Sequence, residues 1–223
     1  MGVMGGTHRG RTRNDRATRA TRASQAERRA AGQARLLDAV VDCLAERGYA
    51  GTTTVAVGRR AGVSRGALLH YYRSKADLLV AGLAHVMDRL GDEFRQAMAD
   101  ADPGSARLDT AIDALWSAFQ GRVAAAWLEL RVAARTDTDL ARALRSLEDD
   151  FYRRATDDFL GIFPEAGRTG IDAGVMLRFT FAVLDGLVFQ TLLPGDDTSR
   201  AREQIDVFKA GARELLAPAL ASA

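Results

Sequence analysis

The sequence predicts an all-α protein of about nine helices, on three observations. Apolar residues recur three and four positions apart, as in Leu36, Leu37, Val40, Val41 and Leu44. Ser, Thr, Gly and Pro stand between such runs, where helices start and stop. No segment shows a convincing apolar–polar alternation of the kind a half-buried strand requires. At 223 residues the chain can bury a substantial core, in one large domain or two small ones.

Taken in order, residues 1–24 hold six Arg, one Asp and almost no bulky apolar group. They cannot bury enough surface to fold alone and read as a disordered arm. A first helix begins near Gln25 and ends at Gly48, a C-cap. Cys43, the one cysteine, lies near its apolar face and reads as packed rather than reactive. Thr52, Thr53 and Thr54 open a short second helix that reaches Ala61, and Gly62 stops it. Ser64 caps a third helix, Arg65 to Tyr71, and Ser74 caps a fourth that Lys75 opens. The fourth keeps an apolar face from Leu79 through Leu83, Val86 and Leu90 to Met98, near Asp100. Pro103-Gly104 breaks it. A fifth helix is expected at about 105–120 and a sixth at about 122–134. A capping box of Thr136 and Asp139 opens a seventh, to about Ile162. After a loop at Phe163, Pro164 and Gly167, an eighth spans about Arg168 to Leu193. Pro194-Gly195 turns the chain into a ninth, about Ser199 to Leu216.

The net charge of +2 hides a division. Residues 1–76 carry 15 Lys or Arg against 5 Asp or Glu, and the remainder 16 against 24. A basic front followed by an acidic body suggests a polyanionic partner for the front alone. No run approaches the roughly 20 apolar residues of a membrane span, and no apolar segment resembles a secretory signal. A single cysteine and three scattered histidines, His8, His70 and His85, give no disulfide frame and no metal site. There is no nucleophile–base spacing and no phosphate-cradling Gly loop, so neither an enzyme nor a cofactor is expected. A cytoplasmic protein with no membrane partner is the expectation.

Two short helices joined by a Gly-containing turn describe a helix-turn-helix, here about residues 53–72. On its second helix Leu68 and Tyr72 point inward over Val63, which leaves Arg65, Gly66, Ala67, His70 and Tyr71 outside. Gly66 costs about 1 kcal/mol against Ala in a helix interior, and its use is to let the backbone approach a groove wall. The Arg65 fork suits guanine O6 and N7. His70 and Tyr71 can donate to phosphate, and Lys75 adds charge at a helix N-terminus. The alternative is an ordinary amphipathic pair with a solvated basic face. Likewise residues 1–24 are either a solvated tail or an arm lying along DNA phosphates or in a minor groove.

Residues 33 to 83 resemble the DNA-binding domain of TetR-family transcriptional regulators. The resemblance is carried by Gly48-Tyr49, Thr52-Thr53-Thr54, Ala61-Gly62-Val63-Ser64, Gly66-Ala67-Leu68, Tyr71-Tyr72 and Ser74-Lys75 before Leu78-Leu79. It implies backbone-phosphate contacts from Thr54 and Lys75, and a groove-facing surface of Arg65, Gly66, Ala67, His70 and Tyr71. The chain departs from the family at Val55, where a polar or basic residue is common, at Gly58, usually Ala, and at Leu69, commonly a phosphate-binding Tyr. Tyr71 or Arg73 is expected to replace that last contact.

The resemblance divides the chain into the arm, a DNA-binding domain over 25–76 and an effector-binding and dimerisation domain over 77–218. It implies a homodimer on a double-stranded palindromic operator, with half-sites about 34–36 Å apart. The last two helices would form the interface, through Ala182, Phe189, Leu193 and Phe208. A small-molecule effector would lie between the fourth and eighth helices, against Trp116, Phe119, Trp127, Arg131, Phe151, Phe159, Met176 and Phe179, any of which is otherwise core. Glu129, Arg131 and Arg135 either orient that ligand or pair with Asp185. The family pattern is a repressor released by a small apolar or amphipathic ligand that tilts the fourth helix. The rival is an architectural DNA-binding protein with no effector response, whose affinity falls with salt but barely varies with base sequence.

Overall fold

Thr53, Ser64 and Ser74 do locally what their positions predict. Each side-chain oxygen accepts from a backbone N–H three residues on, of Ala56, Ala67 and Asp77, at 3.1, 3.3 and 3.0 Å. Each such cap stabilises its helix by about 0.5–2 kcal/mol. The computed structural model describes residues 9–101, 106–193, 195 and 198–220. Among them are α1 (Arg9–Gly51), α2 (Thr54–Ala61), α3 (Arg65–Tyr71), α4 (Lys75–Asp100), α5 (Ala106–Ala118), α6 (Arg122–Ala133), α7 (Thr138–Ile162), α8 (Ala173–Phe189) and α9 (Thr198–Leu220). A 3-10 turn at Pro164–Arg168 joins α7 to α8, and the described residues contain no strand. No described helix is long and apolar enough to cross a membrane.

Four boundaries differ from the sequence expectation. Helix α1 extends back to Arg9, through much of the stretch expected to lack structure. Ala and Arg are strong helix formers, and elongating an existing helix avoids the nucleation cost. Residues 1–8 of the expected arm lie outside the described residues. Helix α7 is capped by Asp137, which accepts from Leu140 N–H at 3.0 Å, rather than by Thr136. Helix α8 begins after Asp172, whose carboxylate accepts from Val175 N–H at 2.9 Å, and not at Arg168, which belongs to the 3-10 turn. Helix α9 runs on to Leu220, past Leu216.

Three apolar clusters hold these helices. The first joins α1, α2, α3 and α4 to α6 and α7 through Leu44, Val57, Leu68, Leu79, Leu130 and Leu140. The helix-turn-helix therefore shares one core with the body. Leu68 alone, 2% exposed, contributes about 1.5–3 kcal/mol by burial. The second cluster packs α5, α6, α8 and α9 around Ile112, Leu184 and Ile205. The third closes the far end around Met98, Phe163 and Leu216. Where α1 crosses α4, a Cβ on Gly82 would stand 2.5 Å from Val40 Cβ, so no larger residue fits. Gly58 answers the same need, since a Cβ there would come within 2.8 Å of the Val63 carbonyl oxygen. Cys43 is buried in the first cluster, and burial pushes its thiol pKa up, away from the reactive range.

Candidate nucleic-acid interface and apolar cavity

Helix α3 is short, and one side of it is anchored: Leu68 is buried, and Val63 and Tyr72 pack against the first cluster. The opposite side presents Gly66, His70, Tyr71 and the following Arg73 to solvent, with Ala67 half-buried between. Tyr71 is 61% exposed, and its ring meets His70 edge-on at 5.2 Å. The backbone of Arg65 opens the helix, while its side chain lies outside the described residues. Nothing in the protein approaches within 4 Å of where a Gly66 Cβ would be. Internal packing therefore gives no reason for glycine at this position. Thr54 is half-buried at the start of α2, beside an exposed Val55.

Lys75 departs from its expected phosphate contact. Its ammonium donates to the Tyr49 carbonyl at 2.7 Å and lies 3.8 Å from the centroid of the Tyr49 ring. Burial lowers its pKa, with Asp137 opposing the shift. The side chain is thus committed to the end of α1. Tyr49 is the centre of a clasp that the sequence did not reveal. Its N–H donates to Glu129 of α6 at 2.8 Å, and its hydroxyl to Asp137, the cap of α7, at 2.5 Å. Burial and the Asp137 carboxylate raise the Tyr49 hydroxyl to about 12. The Leu140 N–H and the Tyr49 hydroxyl hold Asp137 below the usual carboxylate range. A second link runs from Arg60 of α2 to Glu46 at 2.6 Å and Asp42 at 3.2 Å, and from Asp42 to Arg122 of α6 at 2.6 Å. Both links tie the helix-turn-helix to α6. Their partners lie up to 88 residues apart, beyond the reach of local pattern.

The body encloses a cavity of about 440 Å³ between α4, α5, α6, α7, α8 and α9. Of the side chains expected on its wall, Phe119, Trp127, Phe151, Phe159, Met176 and Phe179 are there. Trp116 is not: it is buried in the second cluster. Nor is Arg131, whose guanidinium points to α7 and pairs with Glu148 at 2.7 Å instead of with Asp185. Glu129 likewise turns to Tyr49. Phe181, which had no assigned role, organises the wall, with the rings of Phe119 and Phe151 each 5.0 Å from its own. Asp185 stands on this wall, and burial raises its carboxyl above the usual range while Trp127 and Arg131 oppose the shift. Tyr152 is also on the wall, with the Arg178 guanidinium 4.1 Å over its ring.

The outer face of α8 is apolar and uncovered. Val175, Phe179, Ala182, Gly186 and Phe189 follow helical spacing down one stripe, all exposed, Phe189 by 70%. Val207, Gly211 and Leu215 continue the surface on α9. Leu193 is exposed just beyond α8. Phe208 differs from the interface role expected of it: it is half-buried and lines the cavity, 6.3 Å from the Phe179 ring.

A helix-turn-helix with a bare outward face, fused through a shared core to a helical body, is the build of a DNA-binding transcriptional regulator. The family profile of bacterial regulatory proteins of the tetR family matches residues 36–81, and that of the BetI-type transcriptional repressor C-terminal region matches residues 103–217. The HTH-type transcriptional regulator Rv2912c of Mycobacterium tuberculosis is 32% identical over 133 residues, or 60% of this chain and 68% of that protein. CymR of Pseudomonas putida is 29% identical over 77% of this chain and 85% of its own. A putative transcriptional regulator from Pseudomonas aeruginosa PAO1 shares the fold at a TM-score of 0.63 and 24% identity, over 82% of this chain and 89% of that one. FadR from Bacillus subtilis, in complex with stearoyl-CoA, does so at 0.58 and 20%, over 82% and 96%. The chain belongs to the TetR family. Its relatives and structural neighbours are transcriptional regulators rather than enzymes.

Proposed function

We propose that the protein is a homodimeric repressor that leaves a palindromic operator when a small, largely apolar molecule enters the body cavity. The observation that carries this reading is the position of α6. Its Trp127 forms part of the cavity wall, and two residues on, its Glu129 holds Tyr49 at the end of α1. A ligand that moves α6 pulls on the clasp that sets α1, Lys75 and hence the start of α4 beside the recognition helix. A coupling of about 1–3 kcal/mol between the two sites changes DNA affinity about 5- to 150-fold. A structural neighbour that holds stearoyl-CoA gives precedent for ligand binding in this fold.

The exposed stripe on α8, with Ala182 and Gly186 at its middle, suits a two-fold helix pair that approaches closely. In the head, Arg65, Gly66, Ala67, His70 and Tyr71 meet the groove, with Thr54 and Arg73 on phosphates, and exposed Val55 offers methyl contact to a thymine. The test has two stages. Sequences bound by the protein are selected from random DNA, and the winning duplex is titrated with protein in the presence of a compound library. Selection of an inverted repeat and its release by a compound are expected. Recovery of no preferred sequence would favour the architectural alternative.

A further inference from the structure

Whatever enters the cavity meets two polar groups that the protein leaves facing each other. Trp127 is only 8% exposed, and its buried indole N–H has no hydrogen-bond partner. Such a buried donor costs about 1–3 kcal/mol. Asp185, from α8, lies near enough for the N–H to favour its ionised form, yet the pair falls short of a hydrogen bond. The other charged groups around the cavity are matched. Arg95 pairs with Asp158 at 2.6 Å and with Asp92, and Arg154 pairs with Asp88 at 2.7 Å. The rest of the wall is dominated by rings and aliphatic chains, with Tyr152 beneath Arg178 and Thr180 bonded to the Met176 carbonyl oxygen at 3.0 Å.

The chemistry of a head group that suits this pair follows by elimination. A carboxylate brings a second negative charge against Asp185. A cation satisfies Asp185 but leaves the indole N–H unmet, and the surroundings are already balanced, with Arg131 and Arg178 against Glu148 and Asp185. An ether or ester accepts from the indole but gives Asp185 nothing. A hydroxyl does both at once.

We infer that the cavity selects a neutral, mostly apolar alcohol, whose oxygen accepts from Trp127 Nε1–H and whose O–H donates to the Asp185 carboxylate. This rests on reading the cavity as the effector site. The test uses the full-length protein and four probes of similar length: decan-1-ol, nonyl methyl ether, decanoate and decylammonium. Binding is measured by calorimetry, and release of the selected operator duplex is measured in parallel.

Decan-1-ol is expected to bind about tenfold more tightly than the ether, the worth of one hydrogen bond to a charged acceptor. Trp127→Phe keeps the ring and removes the donor, so it should lower affinity for alcohol and ether alike. Asp185→Asn should shrink the alcohol's advantage over the ether and improve decanoate. That variant should melt no lower than the parent, because burial penalises the Asp185 charge, so a lost preference cannot be assigned to unfolding. Equal affinity for alcohol and ether, tighter binding of decylammonium, or no binding of any probe would overturn the inference. Alcohol-selective binding that leaves DNA affinity unchanged would support it while sinking the effector reading.

Discussion

The recognition helix and the cavity wall use the same kinds of side chain under opposite rules. On α3, Tyr71 and His70 stand in water, and Gly66 lacks even a methyl group. In the body, Tyr152 lies beneath Arg178, and burial raises its hydroxyl pKa. Trp127 keeps a donor with no acceptor, and Asp185 carries a charge that burial opposes. A surface that meets a polyanion can keep its polar groups hydrated until contact. A cavity cannot, because water is largely excluded before the ligand arrives, and its polar groups wait unmatched at a cost in stability. Ligand selectivity in the body is therefore built from local destabilisation, and DNA reading in the head from exposure.

The largest effect expected from breaking this contrast comes at the dimer face. Phe189→Glu puts a charge on the α8 stripe without touching the cavity. Light scattering should show a monomer, and operator affinity should fall about 100-fold or more with the loss of two-site binding. Ligand affinity should change little. Arg65→Ala comes next, with a loss of about 1–3 kcal/mol confined to one base-pair position in a mutated-operator series. A uniform loss across all sequences would make the head a charge patch and dissolve the comparison.

Tyr49→Phe tests the connection between the two regions. Loss of its bond to Asp137 should reduce the ligand-induced change in DNA affinity more than either affinity alone. It also carries a pH signature. Because the folded protein raises the Tyr49 hydroxyl from 10 to about 12, its stabilising bond is present below pH 10 and is lost as the pH rises from 10 to 12. The melting temperature of Tyr49→Phe should be flatter over that window than the parent's. The smallest effect is expected at Gly66→Ala. The added methyl meets nothing within 4 Å, so stability should rise by up to about 1 kcal/mol, while operator affinity falls if the groove wall approaches there. A gain in stability without any loss of binding would leave Gly66 unexplained.

Much of the head was legible because its signals are local. A cap and the N–H it serves are three residues apart, so Thr53, Ser64 and Ser74 place α2, α3 and α4 directly. The start of α8 was misplaced because Pro164 begins a 3-10 turn that imitates the helix, and Asp172 resets the chain afterwards. On the cavity wall, composition identified aromatics on the right helices but not which way each faced. Trp116 and Phe119 are neighbours on a short run of chain, yet one fills the core and the other lines the space.

The sequence by itself determined the helices, the outward face of α3 and the basic front that goes with it, because caps, periodicity and charge act over a few residues. Only the tertiary structure decided that Lys75 turns in to Tyr49, that Glu129 and Asp137 complete that clasp, and that Trp127 faces Asp185 across the cavity wall. These pairings join residues far apart in the chain, and their geometry depends on how whole helices rotate and cross. No periodicity in the chain encodes that.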